Sequence, residues 1–329
     1  MIAVLGSGSW ASAIASILLE HPDQKINWWI REPEIIEGMR ENGRNPLYLS
    51  SVEYDVSRIN FYSEIKSVIR DSSDLLFVFP SAFVARTLEG LTSADFEGKK
   101  VHSAVKGLVP STAQIITDYL HDHFSVSYDD MTIISGPSHA EEVAQEKLTY
   151  LTVASKNADL AAKVAEFIRC RYVHTVLSDD VEGIEYAAVM KNIYAVAVGI
   201  CRGLGYGDNL LAVLVSNAMQ EMDAFINSLH PMDSRQLERF SYLGDLLVTA
   251  YSQHSRNRTF GNMIGYGYSV RGAQLEMKMI AEGYYSVKSI EKIRKRKNIE
   301  LPIVEAVYKI LYEDATPRRV MKKIVENFH

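Results

Sequence analysis

Cysteine is scarce, with only Cys170 and Cys201 in 329 residues. That is too few for a disulfide framework, and they lack the paired spacing of a zinc site. A reducing compartment is the expectation. Proline and glycine are sparse as well, at nine and 19 residues, which excludes collagen, and no long Pro/Ser linker, internal repeat or low-complexity tract occurs. Positive charge is not in excess either: 35 Lys and Arg face 41 Asp and Glu, for a net charge of −6. No overall positive field is available to draw nucleic acid or an anionic membrane surface, so neither is expected as a partner. Apolar stretches such as 193–201 reach about half of the ~20 residues a membrane helix needs. The opening Met1-Ile2-Ala3-Val4-Leu5-Gly6 has no basic region and meets glycine before a signal-peptide core could form. A cytoplasmic protein that is not inserted in a membrane is expected.

What is present is the composition of an ordinary globular protein, 47% hydrophobic and 23% charged. At about 150 residues per domain, the length suggests two domains. In the first half, short β-branched runs at 2–5, 26–30, 75–79, 101–104, 132–135 and 151–154 read as strands. Between them, 12–20, 64–70, 83–90 and 112–121 keep an apolar period near 3.6, the mark of amphipathic helices. This alternation predicts βαβ units and a mostly parallel, doubly wound α/β sheet. Near Asp180 the pattern changes, and long helical segments at 181–201, 210–228 and 303–312 take over. The expected division is therefore a doubly wound α/β domain over 1–180 and an all-α domain over 181–329. A ligand cleft is expected where they join, since pockets favour such junctions and the carboxyl ends of parallel strands.

The first strand runs directly into Gly6-Ser7-Gly8-Ser9-Trp10-Ala11. Gly6 permits a tight turn, Gly8 lets backbone approach a pyrophosphate, and the following helix N-terminus offers free N–H groups to the anion. A bare GxGxx[GA] match is weak, but here it lies between a strand and a helix, the context that dinucleotide binding requires. The second strand ends at Arg31 and Glu32. An arginine there pairs with the 2′-phosphate of NADP and an acid with the ribose hydroxyls of NAD. Arg31 also reads as a solvated surface cation, so the choice between NADP and NAD stays open.

Lys191 and Asn192 interrupt a long apolar helix. Burying an ammonium group costs several kcal/mol unless it is paired or deprotonated, so such a lysine either faces a polar cavity or snorkels from one face of its helix. Lys106 and Gly136 each follow a predicted strand, where α/β sheets bind ligands. Turn chemistry is the alternative for Gly136-Pro137-Ser138, and a charged loop for the run 255–258. The nine histidines show no HExxH or comparable ligand spacing, so no metal is expected and surface positions are the simpler reading.

Taken in order, GSGSWASA at 6–13, SAVKGL at 103–108, SGPSHAEEVA at 135–144, VMKNIYAVAVGICRGLGYGDN at 189–209, LGDLLVT at 243–249, SRNRTFG at 255–261 and AEGYYSVK at 281–288 resemble the bacterial NAD(P)-dependent glycerol-3-phosphate dehydrogenases. Those enzymes interconvert dihydroxyacetone phosphate and sn-glycerol 3-phosphate. The resemblance spans nearly the whole chain and implies an N-terminal Rossmann domain followed by a helical domain, with NADP or NAD as cofactor and a role in phospholipid synthesis. It implies Lys191 as the proton-transferring group, Lys106 in contact with cofactor and substrate, and Asp245 as the residue that orients the site. Gly136, Ser138, Asn192, Ser255, Arg256 and Asn257 would hold substrate. Gly6, Gly8, Ser9, Trp10, Arg31, Ala140, Ile280 and Glu282 would line the cofactor, and Arg256 would serve both ligands. Ala11 departs from the family's usual glycine, and His139 stands where many members carry an aromatic residue. A homodimer is a further expectation.

Lysine chemistry supports this assignment. An amine of intrinsic pKa about 10.4 is brought toward neutrality by desolvation and by a neighbouring cation such as Lys106, while Asp245 acts in the opposite direction. The guanidinium of Arg256 suits a phosphate dianion. Two rivals remain. A hydroxyacid or ketopantoate type reductase would share the glycine loop without the phosphate clamp, and a non-catalytic NAD(P) sensor would have no need for a buried lysine.

Overall fold

The computed structural model describes residues 1–277 and 281–328. The chain folds as two compact units, one formed by Met1–Val105 with Gln114–Val181 and the other by Lys106–Ala113 with Glu182–His329.

The first unit is an eight-stranded sheet of β1 (Ile2–Leu5), β2 (Ile26–Trp29), β3 (Ile59–Tyr62), β4 (Asp74–Phe77), β5 (Lys100–Ser103), β6 (Met131–Ser135), β7 (Thr149–Ala154) and β8 (Val173–Ser178). Their spatial order is β3-β2-β1-β4-β5-β6-β7-β8. All neighbours are parallel except β6 and β7. Central strands such as β1 and β4 are buried at every position, as continuous apolar runs in a parallel sheet covered on both faces must be. The order reverses between β1 and β4, which places the glycine turn after β1 at the topological switch point, where α/β sheets bind nucleotides.

Two strands escaped the sequence reading, and both are sheet edges. In β3 only Ile59 is buried, and in β8 only Val173. An edge strand needs no apolar run, so it loses the signal by which the central strands were identified. The helix expected at 112–121 starts later, at Ile116–Phe124, and the one expected at 83–90 is only the turn Val84–Thr87 preceded by a 3-10 turn. The surface reading of the histidines is corrected at His102, which is wholly buried in β5. Its Nδ1 lies 2.9 Å from Thr132 Oγ1 and its Nε2 3.2 Å from Asp74 Oδ1, and burial pushes its pKa down.

The second unit is helical. Its central helix, Val181–Gly203, is long and apolar enough by length and composition to cross a membrane, yet it is buried inside the protein. Four glycines explain how a neighbour approaches it so closely. A Cβ on Gly199 would lie 2.2 Å from Arg258 O, one on Gly203 2.3 Å from Asn262 O, and one on Gly265 2.3 Å from Ile200 O. Gly261 is equally close to Val196. The helices Val181–Gly203 and Arg256–Tyr266 therefore cross with backbone against backbone, which small residues spaced four apart on both partners allow.

Candidate functional site

In the first unit, the turn after β1 is fixed by sterics and hydrogen bonds. Gly6 has φ +137°, and a Cβ there would stand 2.3 Å from Val78 O. Trp28 Nε1 donates to Gly6 O at 2.7 Å, and Asn45 Nδ2 donates to Ser7 O and Ser12 Oγ, both at 3.0 Å. Gly8 caps the helix Ser9–Leu19 without a side-chain hydrogen bond, and no acid occupies the first turn. A Cβ on Gly8 would meet nothing within 4 Å. No side chain caps this helix N-terminus, and its positive dipole end fits a pyrophosphate.

At the end of β2, Arg31 and Glu32 are joined: Arg31 Nε and Nη2 donate to Glu32 Oε1 at 3.0 and 2.5 Å. Ser7 Oγ donates to the other carboxylate oxygen at 2.8 Å, tying this acid to the glycine turn. Gly136 follows β6 at φ +126°, and Ser138 Oγ donates to its carbonyl at 2.9 Å. His139 caps the helix Ala140–Ala144, in which Ala140 is buried.

The second unit gathers Lys106, Lys191, Asn192, Asp245 and Asn257. Lys191 is 4% exposed and Asp245 1%, and Lys191 Nζ donates to Asp245 Oδ1 in a buried ion pair. Asp245 begins the helix Asp245–Tyr251, directly after a π-turn at Phe240–Gly244, and its backbone carbonyl accepts from Thr249 Oγ1 at 2.6 Å. Desolvation lowers the pKa of Lys191 to about 7; Asp245 opposes that shift and the Lys106 ammonium assists it. Lysine therefore sits near the midpoint of its titration at neutral pH, as a group that must both give and take a proton requires. Asp245 Oδ2 is buried and, among the described residues, has no hydrogen-bond partner, so it can accept from a hydroxyl on a bound molecule.

Asn192 and Asn257 form a relay. Asn192 Nδ2 donates to Lys106 O at 3.0 Å and to Ala188 O at 3.1 Å. Asn257 Nδ2 donates to Asn192 Oδ1 at 2.8 Å, and Asn257 Oδ1 accepts from Gly283 N at 2.8 Å. The relay fixes the Lys106 backbone and the first turns of the helices Arg256–Tyr266 and Glu282–Lys297 around Lys191. A Cβ on Gly283 would lie 2.5 Å from Asn192 O, so this approach too depends on glycine. Ser255 is buried as the cap of the Arg256–Tyr266 helix and accepts from Arg258 N at 3.2 Å, while Arg256 is exposed at its start. Glu282 opens its own helix, and Ile280 lies outside the described residues. The relay and the glycine crossing were missed in the sequence, although Gly199, Gly203, Gly261 and Gly265 at four-residue spacing carried the signal.

Comparison with known proteins agrees with this geometry. Residues 1–161 match the family described as NAD-dependent glycerol-3-phosphate dehydrogenase N-terminus, and 180–322 match its C-terminus. A glycerol-3-phosphate dehydrogenase [NAD(P)+] of Oceanobacillus iheyensis is 31% identical over 327 residues, covering 98% of this chain and 93% of its own. That of Ligilactobacillus salivarius is 34% identical over 315 residues, covering 94% and 92%. The crystal structure of glycerol-3-phosphate dehydrogenase from Coxiella burnetii superposes with a TM-score of 0.91 at 28% identity, over 99% of this chain and 98% of that one.

Proposed function

The chain belongs to the NAD-dependent glycerol-3-phosphate dehydrogenase family, and from that premise we propose that Lys191 is the residue that exchanges a proton with the substrate oxygen. The protein is an oxidoreductase that uses NAD or NADP to interconvert dihydroxyacetone phosphate and sn-glycerol 3-phosphate. The observation that carries the role of Lys191 is its burial beside Asp245 with a pKa near 7.

In the reductive direction the reduced nicotinamide, when bound, supplies hydride to C2 of dihydroxyacetone phosphate. Lys191 Nζ gives its proton to the carbonyl oxygen as charge develops there, and takes one back in the oxidative direction. Lys106 adds a second positive charge that stabilises the same oxygen. Asp245 holds the Lys191 ammonium in place through Oδ1 and keeps it from losing its proton at too low a pH, leaving Oδ2 to accept from a substrate hydroxyl. Asn192 acts on the site by gripping the Lys106 backbone.

Arg256 meets the phosphate with its guanidinium, the group best matched to a phosphate dianion. Ser255 presents Arg256 as the helix cap. Asn257 has one amide proton left after its bond to Asn192, and that proton supplies a neutral donor. Gly136 and Ser138 belong to the substrate by family motif. Gly6, Gly8, Ser9, Trp10, Arg31, Ala140, Ile280 and Glu282 are assigned to the cofactor on the same ground, with Lys106 and Arg256 shared. The space around Gly8 and the helix N-terminus without a side-chain cap support the pyrophosphate assignment. Residues 1–180 act as the nucleotide-binding domain and 181–329 as the catalytic domain, with Lys106 packed among the helices. The paired charges of Arg31 and Glu32 suit use of either cofactor. Cytoplasmic supply of glycerol phosphate for phospholipid synthesis, by a homodimer, completes the proposal.

The test is steady-state reduction of dihydroxyacetone phosphate with NADH and NADPH in turn, beside unphosphorylated hydroxyketones and 2-ketoacids. The phosphorylated triose should be turned over in strong preference. Preference for an unphosphorylated compound removes the assignment of the phosphate clamp.

A further inference from the structure

The end of β2 carries an anion that is held in place and a cation that is held less firmly. Glu32 precedes the helix Pro33–Asn42 as its cap residue, yet its side chain makes no capping bond there. Both carboxylate oxygens are engaged elsewhere. Oε2 accepts from Ser7 Oγ at 2.8 Å, and Oε1 accepts from Arg31 Nε and Nη2 at 3.0 and 2.5 Å. The side chain of Glu32 is 24% exposed and that of Arg31 58%.

Ser7 stands between the two glycines of the turn after β1. Its carbonyl accepts from Asn45 Nδ2 at 3.0 Å, and the carbonyl of Gly6 accepts from Trp28 Nε1 at 2.7 Å. The turn is therefore fixed, and the Ser7 hydroxyl keeps the Glu32 carboxylate against it. Arg31 has a looser hold. Besides Glu32, its guanidinium carbon lies 5.9 Å from the Phe83 ring centre, a contact of modest strength at an exposed site.

The other formal charges close to this point in the chain are Glu34, Glu37, Arg40 and Glu41 on the following helix, Glu64 just beyond β3, and Arg86 just beyond Phe83. All six are exposed and screened by water and salt. Their balance favours acids, so they add nothing that would attract a further anion.

We propose that Glu32, locked by Ser7, sets the order of preference between the two cofactors, with NADH bound more tightly than NADPH. The inference rests on the nucleotide placement proposed above, with the adenosine ribose at the end of β2. The 2′-hydroxyl of NADH is a donor, and a carboxylate with lone pairs to spare accepts it. NADPH carries in its place a phosphate of charge about −1.5 to −2. Arg31 attracts that phosphate, but the same guanidinium already serves Glu32, so carboxylate and phosphate must share one cation at close range. An untethered glutamate would swing away into water, and the bond to Ser7 opposes that movement. Both cofactors remain usable, and the repulsive element fixes the ratio between them. Glu32 is the specificity-determining residue, and Ser7 is a positioning residue that acts through it.

Calorimetric titration of the purified protein with NADH and with NADPH, without substrate, reads this directly. The dissociation constant for NADPH should exceed that for NADH by about fivefold or more. Glu32→Gln keeps the shape and removes the charge, so it should tighten NADPH by about tenfold and weaken NADH by about threefold. Ser7→Ala should move both constants in the same directions by about threefold. In the Glu32→Gln background it should leave their ratio unchanged, as double-mutant cycles require of a residue acting only through the carboxylate. A serine with a merely structural role would weaken both cofactors alike in either background. Tighter binding of NADPH by the unaltered protein, a ratio unmoved by Glu32→Gln, or a change of ratio by Ser7→Ala that persists without the carboxylate each overturns the proposal. Reduction of dihydroxyacetone phosphate would continue in those cases, whereas failure to bind either nucleotide would overturn the nucleotide placement along with it.

Discussion

A Cβ on Gly261 would stand 2.1 Å from the carbonyl oxygen of Val196. The helix that begins with Arg256 and Asn257 is thereby pressed against the helix that carries Lys191 and Asn192, and the 2.8 Å bond between the two asparagines depends on that approach. Gly261→Ala gains about 1 kcal/mol of helix propensity. It also forces a methyl into backbone that cannot yield, an overpacking cost of about 3 kcal/mol. The second effect wins. The variant should melt several degrees lower and lose at least tenfold in kcat/KM, as thermal denaturation and steady-state assays would show. A fully active, equally stable variant would mean that the helices are free to separate without disturbing the site.

The pKa of Lys191, lowered to about 7 by burial, sets opposite pH dependences for the two directions. Reduction needs the ammonium form, so its kcat/KM should be level at acid pH and fall about tenfold per unit once the pH exceeds that value. Oxidation needs the neutral amine and should rise through the same region. Initial rates in both directions from pH 5.5 to 9 check this. Matching slopes in the two directions would assign the titration to a different group. Lys191→Ala should remove the limb altogether and lower turnover by about 10² to 10⁴, while NADH affinity measured by fluorescence stays within about threefold.

Asp245 raises the Lys191 pKa against the larger effect of burial. Asp245→Asn keeps the size and leaves the buried amine beside Lys106 without a counter-charge. The apparent pKa of the reductive profile should move down by one unit or more, with kcat at neutral pH reduced at least about fivefold. A profile that keeps its midpoint while activity falls would leave Asp245 with substrate contact as its only role.

Much of this site was legible in the sequence because burying a charge is rare enough to be informative. Lys191 inside an apolar helix pointed either to a polar cavity or to a snorkelling side chain, and the structure buries it against Asp245. The buried strands β1, β4 and β6 announced themselves as apolar runs, and Gly6 and Gly8 by their position between strand and helix. What stayed hidden is relational. Asn192 and Asn257 lie 65 residues apart, and nothing local says that one amide will hold the other. β3 and β8 were invisible because an edge strand alternates weakly, and His102 because a buried imidazole looks like an exposed one until Asp74 and Thr132 are brought beside it by the parallel register of β4, β5 and β6.

Gly6 and Gly8 look alike in the motif but differ in what excludes a side chain. At Gly6 an alanine faces both a φ of +137° and a contact of 2.3 Å with the Val78 carbonyl. Strain and overpacking together cost about 3 kcal/mol or more, so Gly6→Ala should lower the melting temperature and weaken NADH binding together. At Gly8 the backbone is extended and a Cβ meets no protein atom within 4 Å, so Gly8→Ala should fold with an unchanged melting temperature. Its methyl nevertheless enters the space over the helix N-terminus where the pyrophosphate is proposed to lie, and the dissociation constant for NADH should rise at least tenfold. Calorimetric titration of both variants, with melting curves taken without cofactor, separates the two effects. NADH binding by Gly8→Ala as tight as that of the unaltered protein would show that the dinucleotide does not lie over this turn.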